Sequence, residues 1–204
     1  MNVLVVRAHP LQAPQSRSML LTDAFLESYL SNRAAKVTDL RLYEVAVPEI
    51  DLDMLTAWQA LMGGEHFAHL SAQQQTKLTL FGNYTEQFLE SDLVVIANPL
   101  WNLSVPTRLK AWIDTVIVAG KTFRYTDAGA PEGLAQGKTV VHLQASGSHF
   151  DAQDPACQYI RTIFGFFGCD VHQVTAEGMD HEPQRAEEIM ADALGRVREL
   201  AASL

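Results

Sequence analysis

The chain has 204 residues, of which 48% are hydrophobic and 19% are charged, so it is long enough for one α/β domain with a sizeable core and too apolar to be disordered. Its formal net charge of -9 argues against nucleic acid or an anionic membrane as the main partner, because phosphate groups are bound by clustered lysines and arginines. The two cysteines show no zinc-binding spacing and are too few for a disulfide framework, and no apolar run approaches the ~20 residues of a membrane span. With no signal-peptide pattern at the N-terminus either, we expect a soluble cytoplasmic protein without a metal site.

Short apolar runs alternate with segments of helical spacing along the whole chain. The elements predicted from this pattern, in chain order, are strand 3–6, helix 18–30, strand 37–42, helix 52–61, helix 71–90, strand 93–97, helix 106–119, strand 138–143, helix 155–167, strand 169–174 and helix 182–200. The first run is continuously apolar and β-branched, which is typical of a strand buried on both faces of a parallel sheet. Ser71 and Gln74 have the spacing of a capping box at the start of one helix.

The alternation of strands and helices predicts a parallel sheet with helices on both faces. Five strands suit a flavodoxin-like three-layer sandwich with the strand order 2-1-3-4-5. No linker is found, so residues 1–204 are expected to form a single domain. In such a sheet, ligands bind at the carboxyl ends of the strands, next to a topological switch point.

A first group of polar residues follows the strand 3–6. Ser16 and Ser18 precede a helix, so they either cap it or bind a phosphate together with the free amides of the helix N-terminus. Arg17 would add charge-assisted hydrogen bonds to a phosphate, and His9 lies where that phosphate should sit. Neither a Gly-x-Gly-x-x-Gly nor a Walker lysine motif is present, so a Rossmann dinucleotide site or a P-loop is not expected.

A second loop follows the strand 93–97 and consists of Pro99, Leu100, Trp101, Asn102 and Leu103. One interpretation is that Trp101 fills the edge of the core and Asn102 makes a turn. The other is that an aromatic plane and backbone amides without strand partners bind a flat ring with polar edges. We favour the second interpretation.

A third loop follows the strand 138–143 and consists of Ala145, Ser146, Gly147 and Ser148. Its small residues let the backbone approach a flat ligand closely, although an ordinary turn has the same composition. Three such loops at one edge of a sheet favour a ligand pocket.

Two aromatic segments have two interpretations each. Segment 123–126 reads Phe-Arg-Tyr-Thr and is either a strand or hairpin edge or a wall of the pocket. Segment 163–167 is typical of core packing, and its clustered aromatic residues also suit a homodimer contact. A nucleophilic triad is not indicated, since the Gly-x-Ser-x-Gly elbow is missing.

Several motifs resemble those of the FMN-dependent NADH azoreductases, a family of flavodoxin-like quinone reductases. They are Pro-Leu-Trp-Asn-Leu-Ser-Val-Pro at 99–106, Leu-Lys at 109–110, Gly-Lys-Thr-Phe-Arg-Tyr-Thr at 120–126 and Pro-Glu-Gly-Leu at 131–134. The similarity extends over nearly the whole chain. Ala-His-Pro at 8–10 is also similar to the FAD-containing quinone reductases, but the motifs at 120–126 and 131–134 together favour the azoreductases.

The resemblance implies which segments bind FMN. Ser16, Arg17 and Ser18 would hold the phosphate, with His9 in place of a family serine. The loop 99–103 would lie along the isoalloxazine ring. The loop 145–148 would contact the pyrimidine edge, with Ala145 and Ser146 in place of the usual serine and arginine. The resemblance also implies a homodimer, in which segment 164–167 would cover the partner's site.

The predicted function is that of an FMN-dependent two-electron reductase. NADH or NADPH would give a hydride to FMN, and a quinone or azo compound would then take the same place, which predicts ping-pong kinetics. Amides near Asn102 and Gly147 would stabilise the reduced flavin, and His149 and Tyr125 are candidates for proton delivery or substrate contact.

Three alternatives stay open: an FAD-dependent quinone reductase, a flavodoxin-like electron carrier and a flavin-free binding module. The segments 47–83 and 120–137 argue against a carrier, because they are interpreted as additional walls of the pocket.

Overall fold

A parallel sheet of five strands forms the centre of the computed structural model, which describes residues 1–204. The strands of the chain are β1 (Asn2–Arg7), β2 (Lys36–Arg41), β3 (Leu93–Pro99), β4 (Phe123–Tyr125), β5 (Pro131–Gly133), β6 (Thr139–Ala145) and β7 (Asp170–Ala176). The central sheet has the order β2-β1-β3-β6-β7, and every neighbouring pair is parallel. Counting only these five strands, the order is 2-1-3-4-5, so the predicted flavodoxin-like sandwich is confirmed.

The chain has six α-helices, five of them between strands and the sixth after the last strand. They are α1 (Arg17–Leu30), α2 (Leu52–Met62), α3 (Ala72–Glu90), α4 (Thr107–Val116), α5 (Pro155–Phe166) and α6 (Ala186–Ser203). Both hydrogen bonds of the predicted capping box are present at Ser71 and Gln74. None of the helices has both the length and the apolar character that crossing a membrane requires.

Three helix ends differ from the prediction by three residues or more, among them the end of α6, which lies at Ser203 instead of residue 200. Helix α4 ends at Val116 instead of residue 119, because the Thr122 hydroxyl donates to the Val116 carbonyl (2.7 Å) and accepts from the Val118 N–H (3.0 Å). These bonds replace the next turn of the helix. Helix α6 begins at Ala186 instead of residue 182, because a 3₁₀ turn that starts at Pro183 precedes it.

The sheet is buried on both faces, which explains the continuous apolar run of β1. Leu4 and Val6 join a core cluster with side chains of α3, α4 and α5. Val3 and Val5 point to the opposite side and join a second cluster with α1 and α6. Strand alternation sends successive side chains to opposite faces, so a strand covered twice is apolar at every position.

The aromatic segment 123–126 forms one strand of a small hairpin outside the main sheet. β4 and β5 pair antiparallel, with Phe123 opposite Gly133. A Cβ at Gly133 would lie 2.3 Å from the backbone carbonyl carbon of Phe167, so only glycine permits this close approach. The hairpin interpretation of the segment is therefore confirmed.

The aromatic segment at the end of α5 belongs to the core. Phe164 and Phe167 are both 0% exposed and pack near Phe88, whereas Phe166 is 36% exposed. The expectation that segment 164–167 covers a partner's site is therefore wrong for Phe164 and Phe167, because their rings already fill the core of their own chain.

Candidate functional site

Three loops meet at the carboxyl edge of the sheet, after β1, β3 and β6. They surround a cavity of about 380 Å³, a volume within the range of small-ligand sites. Its lining residues are His9, Gln15, Ser16, Arg17, Ser18, Pro99, Leu100, Trp101, Ala145, Ser146, Gly147 and Asp180. The loops that the sequence predicted to act together thus lie side by side. Gln15 and Asp180 were not predicted.

The first loop ends at the N-terminus of α1, which borders the cavity. Ser16 is the N-cap residue, and its hydroxyl accepts from the Met19 N–H (3.4 Å) and lies 3.2 Å from the Ser18 hydroxyl. No acidic residue occupies the first turn of α1. Capping and anion binding are therefore compatible here, because hydroxyls and the positive end of the helix dipole border the same cavity.

Arg17 is the only arginine or lysine that lines the cavity, and it is already paired with an acid. Its Nη1 lies 2.9 Å from Oδ1 of Asp180, which comes from the loop after β7. The Asp180 N–H donates to the Gly147 carbonyl (3.1 Å), so this loop is attached to the third loop of the site. The Asp180 carboxylate thus lies between the first and third loops.

His9 is anchored to the first loop through one ring nitrogen. Its Nδ1 lies 2.9 Å from the Leu11 backbone nitrogen and 3.2 Å from the Leu11 carbonyl oxygen, so it can accept from the N–H or donate to the carbonyl. Burial lowers the pKa of His9 below its ordinary value. The ring lies 5.4 Å from that of Trp101, so the first and second loops are in contact.

The second loop is a tight turn with two residues at positive φ. Trp101 and Ser104 exchange backbone hydrogen bonds (3.2 and 3.0 Å), and Asn102 and Leu103 between them have φ angles of 50° and 60°. Asparagine is common in such turns, whereas leucine with positive φ is strained, and strain of this kind is concentrated at functional sites. Asn102 and Leu103 form the tip of the turn and do not line the cavity, so their contacts with a cofactor stay predictions.

The third loop is attached to both of its neighbours. The Leu100 N–H donates to the Ala145 carbonyl (2.9 Å), and the Ser146 N–H donates to the Ala176 carbonyl (2.9 Å). A Cβ at Gly147 would lie 2.2 Å from Oδ2 of Asp180, so glycine allows the acid to approach the loop. The Gly147 N–H donates to no protein acceptor. Ser148 does not line the cavity, and its hydroxyl lies 3.1 Å from Nε2 of His181.

The two candidates for proton delivery lie outside this cavity. His149 is paired with Glu182 (2.7 Å) and lines a separate groove of about 550 Å³. The arginines of that groove, Arg185 and Arg196, are already paired with acids, so the groove offers no free cation. Tyr125 is 66% exposed on the β4–β5 hairpin. Neither residue reaches the cavity within one chain.

The segments interpreted as additional pocket walls also lie elsewhere. None of the residues in 47–83 or 120–137 lines the cavity. Their interpretation as walls is therefore wrong for the cavity of a single chain. No group of three or more histidine, cysteine, aspartate or glutamate side chains has an arrangement that could hold a metal ion.

Comparison with known proteins shows the fold and the family of this chain. A family model described as "flavodoxin-like fold" matches residues 1–201, which defines the class of the protein. The chain is 37% identical to an FMN-dependent NADH:quinone oxidoreductase of Streptococcus suis, over 99% of this chain and 98% of that protein. It is 40% identical to an enzyme of the same description from Bacillus pumilus, over 98% and 97% of the two chains. The chain therefore belongs to the family of FMN-dependent NADH:quinone oxidoreductases.

Solved structures agree with this assignment. The crystal structure of an azoreductase from Bacillus anthracis superposes with a TM-score of 0.90 at 34% identity, covering 100% of this chain and 99% of the other. An FMN-dependent NADH-azoreductase from the same organism, solved in complex with FMN, has a TM-score of 0.90 at 29% identity, covering 99% and 98%.

Proposed function

We propose that this chain is an FMN-dependent oxidoreductase that takes a hydride from NADH and reduces quinones and azo compounds by two electrons. The observation that carries the proposal is the meeting of three polar loops around one cavity at the carboxyl edge of a flavodoxin-like sheet. The relatives at 37% and 40% identity, aligned over nearly their whole length, are described as enzymes of this activity.

The residues of the cavity fit a flavin mononucleotide. The hydroxyls of Ser16 and Ser18, the Arg17 guanidinium and the imidazole of His9 are all suited to a phosphate group. Pro99, Leu100 and Trp101 on one side, with Ala145, Ser146 and Gly147 on the other, would hold the flat ring. Asn102, Leu103 and Ser148 would add contacts at the rim.

The bound flavin would supply the hydride chemistry, and the chain supplies binding, orientation and charge stabilisation. The Gly147 N–H is free to donate to a ring that gains negative charge, and fixed donors of this kind need no rearrangement when the charge develops. Because one cavity serves both substrates, the hydride donor and the acceptor must use it in turn. This order of events gives ping-pong kinetics.

The direct experiment is to purify the protein, identify any released flavin by chromatography and follow NADH oxidation with menadione and with methyl red. We expect FMN, turnover without a partner protein and parallel lines in double-reciprocal plots. Released FAD would instead support an FAD-dependent quinone reductase. A bound flavin that can be reduced, without steady oxidation of NADH, would support an electron carrier. A folded protein that neither retains nor responds to FMN would exclude the proposal.

We also propose that the protein acts as a homodimer in the cytoplasm and that residues 1–204 work as one domain. Leu52, Leu55 and Met62 on α2 are 75%, 48% and 81% exposed, and an apolar helix face of this kind suits a contact between subunits.

The use of NADH and the two unpaired cysteines fit a reducing compartment. Both core clusters pack on the same sheet, which supports one domain. Tyr125 and His149 stay predictions as substrate contacts.

Asp180→Asn should strengthen FMN binding, the opposite of what removing a site residue usually does. The substitution preserves the shape of the side chain, frees Arg17 for the phosphate and removes a negative charge beside it. Because exposed ion pairs contribute about 0–1 kcal/mol, we expect a Kd lowered by a few-fold at most. Titration of the apoprotein with FMN, followed by flavin fluorescence, measures the change.

The matched control for this substitution is Asp170→Asn, which also removes an exposed aspartate paired with a basic residue, His172, but does not line the cavity. We expect its Kd for FMN to equal that of the wild type. Weaker binding by the Asp180→Asn variant would show that Asp180 holds Arg17 in place and does not compete with the phosphate.

A further inference from the structure

A row of buried polar side chains crosses the sheet directly below the second and third loops of the site. Asn98 on β3 lies opposite Gln144 on β6, and His142 on β6 lies opposite Gln173 on β7. Asn98, His142 and Gln144 are all 0% exposed. Burying a polar group costs free energy unless the group is hydrogen-bonded, so the stability of this buried row depends on its hydrogen bonds.

One end of the row is Asp154, the N-cap residue of α5. Its Oδ1 accepts from the backbone N–H groups of Ala156 and Cys157, and its Oδ2 accepts from Nε2 of Gln144 (2.8 Å). A carboxylate can only accept, so Gln144 must present its amide nitrogen to Asp154. The Gln144 oxygen then faces Asn98, and it accepts from Nδ2 of that residue (3.2 Å).

The direction of the remaining bonds follows from this end. Because the Asn98 nitrogen donates to Gln144, its Oδ1 must accept, and it does so from Nε2 of His142 (2.8 Å). The proton on Nε2 makes Nδ1 an acceptor, and Nε2 of Gln173 donates to it (3.0 Å). Burial lowers the pKa of His142 to about 4, so the ring is neutral at physiological pH, as this arrangement requires.

A side-chain hydrogen bond connects the row to the second loop of the site. Nδ2 of Asn98 also donates to the carbonyl of Pro99 (2.9 Å), the first residue of the second loop. The next residue, Leu100, donates its N–H to the Ala145 carbonyl at the start of the third loop (2.9 Å). The Asn98 amide is therefore bonded to the Pro99 carbonyl at the point where β3 and β6 end and the two loops that face the ring begin.

We propose that His142 is a positioning residue of the flavin site, which acts by holding the Asn98 amide in the orientation that fixes the Pro99 carbonyl. The inference rests on the proposed function, because it concerns the geometry of the same cavity. It assigns a role to a buried histidine that contacts neither the cavity nor solvent.

The test compares His142→Leu, which removes both ring nitrogens, with His142→Gln, whose amide N–H can still donate to Asn98. For His142→Leu we expect the Kd for FMN to rise about tenfold or more, since the Asn98 oxygen loses its buried partner. The visible absorption spectrum and the reduction potential of the bound flavin should also shift. For His142→Gln we expect most of the affinity and the wild-type spectrum to be restored.

Val140→Ala is the matched control. Val140 precedes His142 by two residues on β6, so it lies on the same face but further from the site, and it is also 0% exposed. It should lower the midpoint of urea unfolding without changing the flavin spectrum or potential. If His142→Leu behaves in the same way, the proposal is wrong. If His142→Leu does not fold, Gln173→Leu removes the shorter of the two contacts to Nδ1, at the half-buried end of the row, and leaves the Cys157 thiol at 3.9 Å. An unchanged spectrum and affinity in that variant would overturn the proposal. Failure of the wild-type protein to bind FMN would instead overturn the proposed function.

Discussion

Arg17→Ala should raise the Kd for FMN by about 10- to 150-fold. Arg17 is the only arginine or lysine that lines the cavity, and it lies at the N-terminus of α1 between two buried serines. A hydrogen bond to a charged group contributes about 1.5–3 kcal/mol, which corresponds to this range of affinities. The measurement is a fluorescence titration of the apoprotein with FMN at fixed ionic strength.

Riboflavin serves as an internal comparison, because it has the same ring and lacks the phosphate. We expect Arg17→Ala to leave the Kd for riboflavin unchanged, so that the wild-type preference for FMN largely disappears. Arg196→Ala, which removes an exposed arginine of α6 paired with Asp192, should leave both affinities unchanged. An equal loss of affinity for FMN and riboflavin would contradict the assignment of Arg17 to the phosphate.

Trp112→Ala should lower the free energy of unfolding by about 3–5 kcal/mol, the usual cost of truncating a large aromatic side chain in a core. Trp112 lies on α4, the helix that follows the second loop, and is 0% exposed. Its ring stacks near Phe164 of α5 at a centroid distance of 6.4 Å. Alanine would therefore leave a cavity between α4 and α5, two helices that cover the same face of the sheet. Urea unfolding followed by circular dichroism measures the change.

Trp112→Phe is the informative comparison. The Nε1–H of Trp112 is buried and has no hydrogen-bond partner, and a buried unsatisfied donor costs about 1–3 kcal/mol. Phenylalanine retains most of the packing and removes that donor, so we expect a clearly smaller loss of stability than for alanine. Equal losses in the two variants would show that the indole makes a specific contact and does not act mainly by filling space.

The sheet could be predicted from the sequence because its strands are buried on both faces. Val3, Leu4, Val5 and Val6 are each 0–1% exposed, so apolar residues had to occupy every position of that run. Helix ends were less predictable. The end of α4 depends on the Thr122 hydroxyl, which lies six residues beyond the last residue of the helix and bonds back to it, a turn that helical periodicity does not indicate.

The site loops could be predicted for a similar reason, since the carboxyl ends of parallel strands meet at one edge. The contribution of Asp180 to the site could not be predicted, because its pairing with Arg17 joins positions 163 residues apart. The row from Asp154 to Gln173 was missed for a different reason. His142 and Gln144 lie inside a predicted strand, and only the register with the neighbouring strands shows that their polar atoms satisfy one another.

The burial of both thiols has a consequence for an enzyme that handles quinones, which are electrophiles and alkylate thiolates by conjugate addition. Cys157 is 0% exposed and Cys169 is 9% exposed. Burial raises the pKa of Cys169 to about 11, and it also raises the pKa of Cys157. The thiolate is the reactive form of cysteine, so neither buried thiol is a nucleophile that a quinone can react with. Burial thereby protects both cysteines from arylation by quinones.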